Sequence, residues 1–168
     1  MSAPATACLS LGSNIAPDAN LASAIAALRA RFAGVRVSAL YRTRAVGFEG
    51  ADFVNAAAVL HSDLDVHALD AWLHALEDAH GRDRSAPRNG DRTLDIDIVL
   101  FGDLVLDGPG HLVLPRPELR HAFVLRPLAE LVPDAIEPRS GRTLAALWAA
   151  SGEAGVAMTE VAPADGPG

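Results

Sequence analysis

The sequence of 168 residues contains no lysine and a single cysteine, and each shortage excludes a class of protein. With Cys8 as the only cysteine, the chain cannot form an internal disulfide, and the apolar run around it is typical of a buried, unreactive thiol. Because every basic residue is arginine, the lysine-containing phosphate loop GxxxxGK[ST] is excluded. The net charge of −7 argues against a general nucleic-acid-binding protein.

Long apolar runs are also missing. No stretch reaches the ~18 uninterrupted apolar residues of a membrane helix, and the N-terminus lacks the basic and apolar segments of a signal peptide. We therefore expect a cytoplasmic protein with no membrane partner. The length predicts one domain over residues 1–168, with a poorly ordered tail from about residue 152.

Apolar periodicity predicts an α+β protein with a ferredoxin-like βαββαβ core. This fold has an antiparallel sheet with two helices on one face. Extra C-terminal helices are predicted from about residue 122 and at 143–150, and mobile catalytic loops at 42–52 and 82–92. The predicted core comprises strands at 5–11, 35–41, 53–62 and 93–101, and helices at about 18–32 and from Asp63 or Asp65 to near Gly81.

Two acidic residues interrupt an otherwise apolar strand, RTLDIDIVLF, at residues 92–101. Asp95 and Asp97 lie on one face of this strand, roughly 7 Å apart. Unpaired buried carboxylates are costly, so arginines pair with them or a cation lies between them. Of the cations, Mg²⁺ fits two carboxylates best. The six histidines are scattered, and nothing in the sequence completes a zinc site.

Four arginines lie in the loop directly before these aspartates: Arg82, Arg84, Arg88 and Arg92. One interpretation is a charged loop with local Arg–Asp pairs. The other is an anion-binding loop for Mg²⁺-dependent phosphate chemistry, in which positive charge stabilises the transferred group. From the residues alone, both interpretations remain open.

Five motifs occur in a characteristic order: LGSN, YRT at 41–43, FVNAA at 53–57, LE…GRDR at 76–84 and RTLDIDIVLFG at 92–102. From about Leu9 to Trp148 the chain resembles the 6-hydroxymethyl-7,8-dihydropterin pyrophosphokinases of folate biosynthesis. The resemblance implies transfer of the β,γ-pyrophosphoryl group of ATP to the pterin hydroxymethyl oxygen, with release of AMP and with two Mg²⁺ ions. The implied partners are these two small molecules, with no nucleic acid, and the chain is expected to act as a monomer.

The resemblance also implies roles for individual residues. The metal ligands are Asp95 and Asp97, which together with Arg82 and Arg92 form the catalytic set. The ATP-binding residues are Glu77, Arg84, Arg88, Ile98 (through its backbone), Leu112, Arg116 and Arg120. The pterin-binding residues are Thr43, Val46, Phe53, Asn55 and Phe123. Phe53 and Phe123 are expected to stack on the pterin, and Asn55 to bind its polar edge.

The chain departs from the family pattern at several of these positions. Arg116 replaces the histidine of the usual LPHP, and either Arg120 or His121 fills the arginine position that follows. Asn89 and Asp91 stand where many relatives have tryptophan and proline. No general base is evident; an aspartate, a metal-bound hydroxide or the transferred group are all candidates for the proton acceptor.

Two other functions are compatible with the residues. A two-metal phosphohydrolase would use Asp95 and Asp97 without a pterin. A non-catalytic binding module would use only the ferredoxin-like scaffold, but the net charge and the absence of an aromatic RNA-binding pattern disfavour it.

Overall fold

The computed structural model describes residues 5–43, 52–81, 94–108, 110–152 and 158–161. A single-turn 3₁₀ helix, Pro117–Arg120, precedes the third α-helix. In chain order the elements are β1 (Ala5–Ser13), α1 (Pro17–Arg31), β2 (Ala33–Val37), β3 (Leu40–Thr43), β4 (Phe53–Ser62), α2 (Val66–Ala79), β5 (Asp95–Phe101), β6 (Leu106–Asp107), β7 (Val113–Leu114), α3 (Ala122–Leu131), β8 (Ile136–Glu137), β9 (Arg142–Thr143), α4 (Leu144–Ala150) and β10 (Thr159–Val161).

The main sheet has the strand order β10-β3-β4-β1-β5, with β2 also paired to β4, and every pair is antiparallel. This order confirms the predicted ferredoxin-like α+β core. The predicted strand at 35–41 is divided into β2 and β3. The division falls at Ser38, whose hydroxyl accepts a hydrogen bond from the backbone N–H of Ala57 at 2.8 Å and so takes the place of a backbone partner.

Two apolar layers enclose this sheet. Alternating residues of β1 divide between them, since Leu9 packs with α1 and α2 whereas Cys8 packs with α3 and α4. In α2 the buried positions are Val66, Leu69, Leu73 and Glu77, and Leu76 packs partly buried against the same core, so a glutamate continues the apolar stripe. The helix begins after Asp65, whose side chain accepts a hydrogen bond from the Ala68 N–H at 2.8 Å.

Two further features concern the second half of the chain. The segment after β5 forms the two-stranded antiparallel pair β6–β7. Regular structure was not expected after about residue 152, yet β10 pairs with Leu40–Arg42 of β3 as an edge strand. Three residues are too short for a recognisable sequence pattern, and the pairing depends on the exposed edge of β3.

Among the described residues, no helix combines the length and the hydropathy needed to cross a membrane.

Candidate active site

The two aspartates lie side by side on β5, the edge strand next to β1. Ile96 and Ile98 alternate with them and enter the layer beneath α1 and α2, where each is at most 2% exposed. Alternation therefore directs Asp95 and Asp97 to the opposite face, towards the side of α3. The sequence-based prediction that both carboxylates share one face of a partly buried strand is confirmed.

A buried glutamate fixes the outer edge of β5 between the two aspartates. Glu77 is 2% exposed, and its Oε2 accepts a hydrogen bond from the Ile96 backbone N–H at 2.9 Å. Further along, the Val99 carbonyl accepts a hydrogen bond from the Arg116 N–H at 3.0 Å. These contacts give partners to backbone groups that an edge strand would otherwise expose. The role of Glu77 in ATP binding stays a prediction, whereas its contact with β5 is a structural one that the resemblance did not include.

Arg116 brings positive charge to the aspartates. Its Nη2 lies 3.2 Å from Asp97 Oδ1, and its Nε lies 3.2 Å from Glu118 Oε2. The pKa of Asp97 is raised to about 7, mainly by burial and next by the nearby charge of Asp95, against the lowering effect of Arg116. Asp97 therefore lies in an environment where a second negative charge is unfavourable without a cation.

These residues fit a hard divalent cation. Both donors are carboxylates, the ligand type that Mg²⁺ prefers, and the pKa of Asp97 is raised first by burial and then by repulsion from Asp95, both of which a bound cation would offset. The guanidinium of Arg116 already lies against Asp97 as a positive counter-charge. Asp95 and Asp97 are thus suitable ligands for the two Mg²⁺ ions that the resemblance implies.

A row of residues crosses the sheet from the aspartates. Gly12 of β1 is directly opposite Asp95 on one side and Asn55 of β4 on the other. Residues directly opposite on neighbouring strands present side chains to the same face. Because Gly12 has no side chain, the Asn55 amide can lie close to the β1 backbone, and a Cβ built at Gly12 would lie 2.9 Å from Asn55 Oδ1. A glycine inside a strand is a sequence signal of such a close approach.

Two of the predicted pterin-binding residues are in direct contact. Asn55 is 6% exposed, and its Nδ2 donates to Thr43 Oγ1 at 2.7 Å. The Asn55 carbonyl oxygen points over Gly12, and Phe53 Cδ1 lies 3.7 Å from the same Cβ position. Thr43, Phe53 and Asn55 therefore form one wall beside the glycine.

Phe123 lies at the start of α3, where its ring stacks on His121 with centroids 5.2 Å apart and planes 7° apart. Flat heteroaromatic rings commonly stack on aromatic side chains of this kind. Enclosure of the pterin by Phe123 and Phe53 stays a prediction.

The predicted nucleotide-binding residues differ in which of their groups a ligand can reach. The side chains of Ile98 and Leu112 are 1% and 3% exposed and belong to the apolar layer under α1 and α2, which leaves mainly their backbone for a ligand. Arg116 and Arg120 both line a cavity of about 410 Å³ beside the 3₁₀ helix, and Arg120 is exposed there.

Several predicted residues lie outside the described residues. These are the loop arginines, one pterin-binding position and two departures from the family pattern: Arg82, Arg84, Arg88, Arg92, Val46, Asn89 and Asp91. Their roles stay predictions from the sequence.

Comparison with known proteins connects this site to one enzyme family. The family model described as 7,8-dihydro-6-hydroxymethylpterin-pyrophosphokinase (HPPK) matches residues 8–133. A 2-amino-4-hydroxy-6-hydroxymethyldihydropteridine pyrophosphokinase from Synechocystis sp. is 41% identical over 143 residues, which cover 82% of this chain and 72% of that protein. The enzyme of the same name from Pseudomonas aeruginosa is 42% identical over 149 residues, covering 84% and 89%.

The fold also resembles that of solved structures. A crystal structure of Plasmodium falciparum HPPK-DHPS superposes with a TM-score of 0.69 at 13% identity. The likeness covers 87% of this chain and only 45% of that longer one, so it concerns the fold of this part alone.

Proposed function

The chain belongs to the 7,8-dihydro-6-hydroxymethylpterin-pyrophosphokinase family, and we propose that it transfers pyrophosphate from ATP to 6-hydroxymethyl-7,8-dihydropterin in folate biosynthesis. The pterin hydroxymethyl oxygen forms a bond to the β-phosphorus of ATP. The bond from that phosphorus to the α,β-bridging oxygen breaks, AMP leaves with that oxygen, and the hydroxyl proton is released.

Asp95 and Asp97 are the proposed ligands of two Mg²⁺ ions. When bound, Mg²⁺ neutralises and orients the oxygens of the triphosphate. Arg82 and Arg92 are proposed to assist the transfer, and Arg84, Arg88, Arg116 and Arg120 to bind ATP. Positive charge at these positions stabilises the phosphate oxygens as the pyrophosphoryl group moves.

The observation that supports this function best is the row of opposite residues Asp95, Gly12 and Asn55. Neighbouring strands are about 4.8 Å apart. The carboxylates on β5 and the Asn55 amide on β4 therefore lie on strands roughly 10 Å apart, with Gly12 of β1 between them. In the proposed complex the polar edge of the pterin binds Asn55 and Thr43, and its hydroxymethyl group points towards the aspartates. The two substrates then meet above Gly12. A phosphohydrolase would not need the Asn55 side of this row.

The test is pterin-dependent formation of AMP. The purified chain is incubated with ATP and Mg²⁺, with and without 6-hydroxymethyl-7,8-dihydropterin, and AMP is quantified by chromatography. We expect AMP only with the pterin, and we expect Asp97→Ala to abolish it while the circular dichroism spectrum is kept. Asp103→Asn, an exposed position just after β5, is the matched control and should retain activity. Equal AMP formation without the pterin would refute the proposal.

We also propose that the chain acts as a cytoplasmic monomer without a nucleic-acid or membrane partner. Light scattering coupled to size exclusion should give the mass of one chain, about 17.5 kDa. A mass of two chains would contradict the monomer.

A further inference from the structure

A cluster of potential metal ligands lies on the outer side of α2, formed by Asp70, His74 and His111. The His111 Nε2 is 2.9 Å from Asp70 Oδ2, and the His74 Nε2 is 3.7 Å from Asp70 Oδ1. One ligand atom from each of the three residues lies within 4.8 Å of the other two. None of the three belongs to the proposed catalytic or substrate-binding set.

The three residues come together through both local and long-range structure. Asp70 and His74 are four residues apart on α2, which places them on one face of the helix. His111 follows the turn after β6, where Gly108 and Gly110 have φ angles of 100° and 76° that favour glycine. Residue spacing predicts no histidine site here, because His111 approaches Asp70 across 41 positions of the chain.

A hydrogen-bonded ion pair is the simpler interpretation of this cluster. Two observations favour a metal site instead. Each oxygen of Asp70 faces a different imidazole, and both imidazoles use the same atom, Nε2. The two rings are also stacked, with centroids 5.0 Å apart and planes 30° apart. If both rings were protonated, two positive charges would lie face to face, whereas neutral imidazoles would direct their lone pairs to a shared cation.

The distances suit zinc with a small adjustment. Ligand atoms about 2.1 Å from a tetrahedral Zn²⁺ ion are roughly 3.4 Å from one another. The two Asp70–histidine distances, 2.9 and 3.7 Å, run to different oxygens of Asp70, so binding through one oxygen would require a small rotation of the carboxylate or of a ring. His111 is 58% exposed on a turn, so its ring has space to approach His74.

We propose that Asp70, His74 and His111 bind one Zn²⁺ ion, or a similar late first-row divalent ion, with water as the fourth ligand. Two imidazoles and one carboxylate form a borderline donor set that prefers zinc to Mg²⁺. This distinguishes the cluster from the all-oxygen pair Asp95 and Asp97. The ion would attach the β6–β7 turn to α2.

The experiment is a metal titration of the full chain without a histidine tag. Excess Mg²⁺ is present so that carboxylate-only sites are occupied. Calorimetry with Zn²⁺ should give one site per chain, and Co²⁺ should produce the visible absorption of nitrogen-ligated, near-tetrahedral cobalt. His74→Gln and His111→Gln should each weaken Zn²⁺ binding by at least about tenfold and remove the cobalt band.

The matched control is His67→Gln, an exposed histidine on the same helix that lies outside the cluster. It should bind Zn²⁺ like the unaltered chain. Thermal unfolding without metal, compared for all variants, detects any loss of fold. Absence of the cobalt band in the unaltered chain, or equal weakening by His67→Gln, would overturn the proposal. Neither outcome depends on pyrophosphokinase activity.

Discussion

Glu77 permits a direct test of how the aspartate strand is positioned. Its buried carboxylate connects α2 to β5 through the Ile96 N–H, which lies between Asp95 and Asp97 in the chain. Replacement by alanine removes the acceptor and leaves space in the layer below the strand. Replacement by glutamine retains an acceptor oxygen of nearly the same shape.

The hydrogen bond from Ile96 to Glu77 sets the expected loss of stability for each variant. A hydrogen bond to a charged group contributes about 1.5–3 kcal/mol, and loss of the side chain adds a cavity, so Glu77→Ala should lower the free energy of unfolding by about 2–4 kcal/mol. Glu77→Gln should lower it by only about 1 kcal/mol, because a neutral hydrogen bond remains. The glutamine variant also removes a negative charge that raises the pKa of Asp97.

Urea denaturation followed by circular dichroism measures both variants. His67→Gln, at an exposed position of the same helix, is the control and should be within about 0.5 kcal/mol of the unaltered chain. In the enzyme assay, Glu77→Ala should need several-fold more Mg²⁺ for half-maximal rate, because the carboxylates of β5 lose their alignment. If the alanine and glutamine variants had equal stability, the contact with Ile96 would not be what positions the strand.

Three other substitutions test neighbouring parts of the site. The pKa of Asp97 is raised from its ordinary 3.8 to about 7, so ionisation of this carboxyl destabilises the folded protein as the pH rises above 3.8. Asp97→Asn should therefore stabilise the metal-free protein by about 1–2 kcal/mol near pH 8 and give no gain near pH 4. Urea denaturation with EDTA at each pH measures this, and destabilisation at pH 8 would contradict it. Gly12→Ala should raise the KM for the pterin more than that for ATP, because its Cβ displaces Asn55; equal changes in steady-state kinetics would contradict the pterin wall. Tyr41→Phe should cost about 1–2 kcal/mol in urea denaturation through loss of the 2.6 Å hydrogen bond to Glu130, and an unchanged midpoint would show that this bond adds nothing.

The stabilisation expected from Asp97→Asn is smaller than the limit set by the raised pKa of Asp97. A change from 3.8 to about 7 corresponds to at most about 4 kcal/mol. The side chain is 29% exposed, so water screens part of this energy, and loss of the Arg116 pair offsets another part.

Much of the core could be predicted because its elements have clear periodicity. The alternation in β5 was sufficient to place Asp95 and Asp97 on one face, and the order of strands and helices was sufficient for the ferredoxin-like core. Boundaries were less accurate where a side chain competes with the backbone. At Ser38 the hydroxyl takes an N–H of β4, and this divides a strand whose apolar pattern is continuous.

The remaining features depend on contacts between distant parts of the chain. Glu77 continues the buried stripe of α2, and this position was a usable sign of burial, but its partner on β5 is 19 residues away. The spacing of residues along the sequence gives no indication that His111 approaches α2. Periodicity reports which face of an element is buried, whereas it carries no information about which polar groups meet across elements.

Arg116 shows how a departure from the family pattern can be reconciled with the site. Histidine at this position would be neutral or charged according to pH, whereas arginine is always charged and cannot accept a hydrogen bond. In the structure its guanidinium lies between Asp97 and Glu118, so it offsets the negative charge of the metal ligands in the absence of a cation. Binding of Mg²⁺ at Asp97 would reduce the attraction between Asp97 and Arg116, and the long side chain could then turn to the phosphates of ATP. The same charge would stabilise the aspartates in the free enzyme and the triphosphate in the proposed complex.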